Sequence, residues 1–242
     1  GFNFANLFVK KWQLAFCLGN DLLEDASVQL GEWLVALAAE ALANMVDKQV
    51  FNGTGHPFMG LLNDPDVASY TLGAGQDTFQ EYNVIEDSSA VIGTLEESLL
   101  PDAAFYFSRT VWANIRTQKD DAGQYLLGNG AGNNAPGLLT NDPASLSGPR
   151  PVGSILTYPV YTNRHLPALA ASAASTKMGL FANLRAAMAY GEKGEMRVEK
   201  HASGTVNNKE IALADQQLLV VKKRFGVTTC LKEAATKIVT HS

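Results

Sequence analysis

The sequence predicts an α+β fold, and three observations carry that expectation. One long segment has the 3.6-residue period of a helix with a wide apolar face, several short runs alternate or are continuously apolar as strands are, and the two kinds of segment come in mixed order instead of a regular βα alternation. At 242 residues the chain is long enough for one large domain or two modest ones.

Taken in order, Leu7 to Leu18 alternates loosely and contains Trp12, Phe16 and Cys17, which predicts a strand broken by Gly19-Asn20-Asp21. From Val28 to Gln49, apolar residues fall at Leu30, Leu34, Leu37, Ala38, Ala41, Leu42, Met45 and Val46, the pattern of a long helix. Ser27 can cap its first turn and Asp25 adds negative charge at the positive end of its dipole. Leu37 is placed on the buried face, so Leu37→Asp is expected to bury a charge and prevent folding. Asn52-Gly53-Thr54-Gly55-His56-Pro57 supplies the turn that stops the helix.

A loop rich in Gly, Asp and Asn then runs to Gln80. Ala90 to Leu100 reads as a helix stopped before Pro101, Ala104 to Ser108 as a buried strand, and Arg109 to Lys119 as a helix burying Val111, Trp112 and Ile115. Gly128 to Gly153 is rich in Gly, Asn, Pro and Ser and too long for a simple turn. Ser154 to Tyr161 reads as a strand interrupted by Pro159, Pro167 to Thr176 as a small-residue loop, and Gly179 to Ala189 as mixed. Arg197 to His201 alternates, and Gln217 to Arg224 and Val227 to Leu231 look like two further strands.

Composition narrows the function classes. Charged residues are 18% of the chain, below the roughly one quarter usual for a soluble domain, which leaves more neutral surface for contact between subunits. The net charge of −5 and the scattered Lys and Arg argue against a protein built to grip nucleic acid. The densest cationic run, Lys222-Lys223-Arg224, reads as a solvated strand edge. Val28 to Val50 is the most apolar long stretch but holds Glu32, Glu40, Asp47 and Lys48, a poor match to a membrane span. Gly1-Phe2-Asn3-Phe4 lacks a basic region followed by an apolar stretch, so a signal peptide is not expected there. Cys17 and Cys230 are far apart, form no metal spacing, and are expected to be buried free thiols of a reducing cytoplasm.

A search for chemistry returns little. Gly53-Thr-Gly55 has two glycines in dinucleotide-loop spacing, but Phe58 takes the third position, Pro57 removes an amide, and the loop follows a helix, so a plain turn is the better reading. No Walker loop, nucleophile elbow or His-Glu-x-x-His occurs. His56, His165, His201 and His241 are isolated from one another, and His241, next to the end, is expected to be disordered. Asp64-Pro-Asp66 and Asp120-Asp121 read as turn caps and not as calcium ligands. The expectation is therefore no catalytic, cofactor-binding or metal residue, and no cofactor.

Several segments together resemble the major capsid proteins of tailed bacteriophages, the Hong Kong phage capsid fold that encapsulin shells share. Leu18-Gly-Asn-Asp-Leu-Leu-Glu-Asp-Ala26 is similar to the family's entry to its spine helix, and Asn52-Gly-Thr-Gly55 with Pro57 and Gly60-Leu61-Leu62 to the turn after it. Ala104-Phe-Tyr-Phe-Ser-Arg-Thr-Val-Trp-Ala-Asn-Ile115 with Gln118-Lys-Asp-Asp-Ala-Gly-Gln-Tyr-Leu126 resembles the buried strand and Trp-containing helix that follow. Ile155-Leu-Thr-Tyr-Pro159-Val160 with Leu166-Pro167, and the closing strands, complete the likeness over nearly the whole chain.

The resemblance implies a peripheral domain at residues 21–69 and 191–228, built from the spine helix on an extended sheet, and an axial domain at residues 70–190 and 229–242. Residues 1–20 would be the strand returning from an extended loop, with the family's N-terminal arm and the rest of that loop before it. It also implies a structural subunit of an icosahedral virus shell, assembling with copies of itself into pentamers and hexamers that enclose phage DNA. Scaffold and portal proteins would be further partners, with no membrane, in a virion assembled in the bacterial host cytoplasm. Some members cross-link subunits through a lysine, an asparagine and a catalytic glutamate. Here the glutamate position is Lys222 and the asparagine position lies close to Asp215, so no cross-linking is expected, because a cation cannot act as the base. The alternatives are an encapsulin-like host compartment, a cytosolic hydrolase with scattered catalytic residues, and a prophage remnant that folds without assembling.

Overall fold

The computed structural model describes residues 6–21, 30–119, 123, 126, 151–202, 205–206, 209–210 and 215–242. The fold is mixed α and β, as expected. The chain divides into two compact units, residues 1–47 with 190–228, and residues 48–189 with 229–242.

The first unit is organised around one long strand. β11 (Gln216–Thr229) pairs antiparallel with β1 (Lys10–Gly19) along one side and with β8 (Arg197–His201) on the other, where β7 (Met188–Glu192) also joins. Because side chains alternate along a strand, β1 turns Trp12, Leu14 and Phe16 to one face. There they and Val221 pack against Ala38 and Leu42 of helix α1 (Leu30–Asn52), so the long helix lies on the sheet. Its 23 residues reach about 35 Å at 1.5 Å per residue. β9 (Thr205–Val206) and β10 (Lys209–Glu210) form a separate two-stranded ribbon.

The second unit has a six-stranded sheet in the order β2-β12-β6-β3-β5-β4. The strands are β2 (Ala68–Thr71), β3 (Ala104–Phe107), β4 (Gly153–Ile155), β5 (Tyr158–Thr162), β6 (Lys177–Ala182) and β12 (Ala235–Val239). β2 runs parallel to β12 and β3 parallel to β5; the other pairs are antiparallel. One face buries Phe105, Phe107, Phe181 and Ile238 with Val111, Trp112 and Ile115 of α3 (Arg109–Ile115), which Ser108 caps. The other face buries Leu180 and Ala182 with Leu61, Leu62 and Phe51. A strand covered on both faces has no polar side to alternate with, which is why Ala104-Phe-Tyr-Phe reads as one apolar run.

Several expectations need correction. The helix expected at Ala90–Leu100 is α2 (Glu86–Ile92): Gly93 closes it through its N–H on Ser89 O at 3.1 Å, and the Thr94 hydroxyl takes Val91 O at 2.6 Å. Residues Glu97–Asp102 form a short 3-10 turn instead. Ser154–Tyr161 is two strands, a hairpin turning on Leu156 and Thr157, both at positive φ (46° and 76°). Gln217–Arg224 and Val227–Leu231 are one strand to Thr229. Gly226 does not break it; a Cβ there would lie 2.2 Å from Phe8 O, so glycine admits the crossing chain. β2, β6 and β12 had no clear signal in the sequence. Leu37 is 42% exposed, while Leu34, Ala38 and Leu42 form the buried stripe of α1. Cys17 and Cys230 are exposed, not buried. His241 is held, its N–H on Gln76 O at 2.9 Å and its Nδ1 3.4 Å from Asp77. Residues 127–150, the greater part of the expected Gly128–Gly153 loop, lie outside the described residues.

Candidate functional site

Charged side chains gather on the face of the first unit's sheet that α1 leaves uncovered. Register decides its membership, because residues directly opposite one another share a face. Lys11 stands opposite Arg224, and Gln13 and Arg197 stand opposite Lys222 on its two sides. These positions alternate with Trp12, Leu14 and Val221, which face the helix.

Lys193 and Glu195, between β7 and β8, and Glu199 of β8 complete a groove of about 520 Å³. Lys222 donates to Glu199, and that hydrogen bond holds the Glu199 carboxyl below the usual carboxylate range. His201 lies 3.4 Å from the same carboxylate. Lys223 donates to Glu192, which also accepts from the Tyr190 hydroxyl, and Glu192 is lowered for that reason. Lys222 is thus a strand residue tied to its neighbour, and Asp215 accepts from Asn20 through Oδ1. The Lys222 position thus supplies an ammonium, not a carboxylate, and the Asp215 carboxylate is held by Asn20.

The remaining candidates resolve into structure. Asp64 Oδ1 accepts from the N–H of Asp66 at 3.1 Å, an Asx turn. Lys232 pairs with Asp66, and Lys237, only 7% exposed, donates from Nζ to Asp64 O at 2.8 Å. Burial holds the Lys237 ammonium below the usual lysine range, with Lys177 adding repulsion. Asp120 and Asp121 lie outside the described residues.

The Gly53–Gly55 segment is a closed turn: Gly60 N–H bonds to Gly53 O at 3.0 Å, and Gly55 N–H to Phe58 O at 2.9 Å around a cis His56–Pro57 bond. His165 follows its own Asx turn on Asn163. Asp87 is a buried node that the sequence did not reveal. It accepts from Asn83 N–H at 2.7 Å, Gln76 Nε2 at 3.0 Å and the Tyr70 hydroxyl at 3.2 Å, donors up to 17 residues away. Among the described residues no three His, Cys, Asp or Glu side chains converge on a metal position, and no helix is long and apolar enough to cross a membrane.

Comparison with known proteins agrees with the geometry. The family model described as the phage capsid family matches residues 2–240. Among solved structures, the capsid of a native GTA particle is 17% identical with a TM-score of 0.73, over 98% of this chain and 74% of that one. The Gordonia phage Cozz structure is 13% identical, TM-score 0.65, over 98% and 71%. The Mycobacterium phage Bobi structure is 18% identical, TM-score 0.62, over 98% and 74%. No curated protein matches.

Proposed function

Because the chain belongs to the phage capsid family and is a structural subunit of a shell, we propose that its copies assemble into pentamers and hexamers of an icosahedral virion that encloses phage DNA. The observation that carries this reading is a family match spanning residues 2–240 of 242, beside a fold in which a long helix stiffens an extended sheet. Such a subunit works by multivalent contact. Each interface can be weak, because closure of a symmetric array makes later contacts intramolecular.

In this reading residues 21–69 with 191–228 serve as the peripheral domain and residues 70–190 with 229–242 as the axial one. Assembly takes place in the bacterial host cytoplasm, with scaffold and portal proteins as further partners. The chain acts without enzymatic chemistry and without subunit cross-linking, a reading supported by the ammonium of Lys222 where cross-linking members carry their glutamate. DNA is held by enclosure, which an acidic subunit permits. Negative-stain microscopy of the full-length gene product tests the reading. Closed shells, tubes, or rings of five or six are expected; monomers at every concentration and salt would overturn it.

A further inference from the structure

We propose that the helix-free face of the first unit's sheet docks the acidic segment 77–102 of a second copy of this chain. The proposal rests on the shell-subunit reading above and names the surfaces by which neighbouring subunits meet.

Four cations of that groove, Lys11, Lys193, Arg197 and Arg224, are exposed and have no carboxylate partner among the described residues. Their neighbours Lys222 and Lys223 already hold Glu199 and Glu192. The groove therefore presents uncommitted positive charge in a fixed strand register, interrupted by Glu195. A phosphate backbone is a poor occupant, since Glu195 would repel it and no lining residue is aromatic to stack a base. A protein surface with spaced carboxylates suits a mixed pattern better, because alternating charges fix register more than they add affinity.

The chain itself supplies the complement. Between Leu72 and Ser108 lie seven carboxylates and no Lys or Arg. Three are engaged internally: Asp77 faces His241, Glu81 accepts from Thr78 N–H, and Asp87 is buried. The other four, Glu86, Glu96, Glu97 and Asp102, are exposed with no cation in reach among the described residues, and Ile85 beside them is 48% exposed. Four cations of the groove are thus matched in number by four carboxylates of one sequence segment, each without an opposite charge in reach among the described residues. Two different complementary patches on one chain make a head-to-tail contact, the kind that closes rings.

The test uses the full chain and three variants: Arg197→Glu with Arg224→Glu, Glu96→Arg with Glu97→Arg, and all four together. All the altered side chains are exposed, so thermal melting followed by circular dichroism should match the unaltered chain. Assembly is read by sedimentation velocity and negative stain. Each double variant should raise the concentration needed for assembly at least about tenfold, since like charges would face one another. The quadruple variant, in which both surfaces are reversed together, should recover at least part of it.

Doubles that assemble like the unaltered chain, or a quadruple no better than the doubles, would overturn the pairing. So would an Arg197→Glu/Arg224→Glu chain that assembles normally but loses affinity for a duplex DNA oligonucleotide, which would make the groove a phosphate site. An unaltered chain that never leaves the monomer would overturn the shell reading as well. Unaltered shells with indifferent variants would remove only this contact.

Discussion

At Gly60 the chain has no room for a side chain. A Cβ there would lie 2.4 Å from Gly53 N and 2.9 Å from both Asn52 N and Gln49 O, all of them backbone atoms that cannot swing aside. The two glycines let the segment after α1 fold back on the helix end, where Leu61 and Leu62 N–H groups take Val50 and Phe51 carbonyls at 2.9 and 3.1 Å. Gly60→Ala should destabilise the second unit by about 1–3 kcal/mol, the usual cost of overpacking, read as a lower denaturant midpoint. Asn52-Gly53 and Pro57 mark a turn in the sequence, but the return of Gly60 onto Gly53 is a through-space contact that spacing cannot show. Lys237 was illegible for the same reason: a lysine argues against a buried strand until Asp64 O is placed 2.8 Å from its Nζ.

At the scale of elements, α1 illustrates how periodicity can find a helix and still misplace its face. Apolar residues lie nearly all round it, so both the Leu34-Ala38-Leu42 stripe and the Trp33-Leu37 side satisfy a helical period. Only the position of the sheet selects the first. Trp33 and Leu37 are 58% and 42% exposed, and Ala38 is fully buried. Ala38→Asp should therefore yield insoluble or unfolded protein, whereas Leu37→Asp should fold with a melting temperature near that of the unaltered chain. Leu42→Ala should cost about 2–5 kcal/mol in denaturant unfolding. The hairpin between β4 and β5 was missed because its two-residue turn lacks the Asn-Gly chemistry that advertises such turns. Leu156 is packed on the core and stays there, but Thr157 is exposed at φ 76°. Thr157→Gly should stabilise by about 1 kcal/mol by removing the left-handed strain of a β-branched residue.

For the molecule as a whole, pH acts through buried tyrosines of the second unit. Burial pushes Tyr82 and Tyr106 well above the ordinary tyrosine value of 10.0, and the neighbouring Tyr161 adds to the effect at Tyr106. Above pH 10 the unfolded chain releases these protons while the folded chain keeps them. The unfolded state then binds fewer protons, and stability falls as pH rises. Denaturant unfolding between pH 10 and 11 should show a loss of about 1 kcal/mol per buried tyrosine, and Tyr106→Phe should remove that residue's share of the loss. No such loss is expected between pH 7 and 9, so assembly can be assayed there without confounding the monomer's stability.

The sequence by itself determined the mixed fold class, the long helix, the buried strand at Ala104, the Trp112 helix and the capsid likeness, because each is written in local periodicity or in phrases of adjacent residues. Tertiary structure alone decided which side of α1 is buried, that Gln216 to Thr229 is a single strand, that Cys17 and Cys230 reach solvent, and which cations in the groove already have partners. Those outcomes depend on register and on contacts between residues far apart in the chain, where the free energy of burial and of charge pairing is set by the neighbour in space.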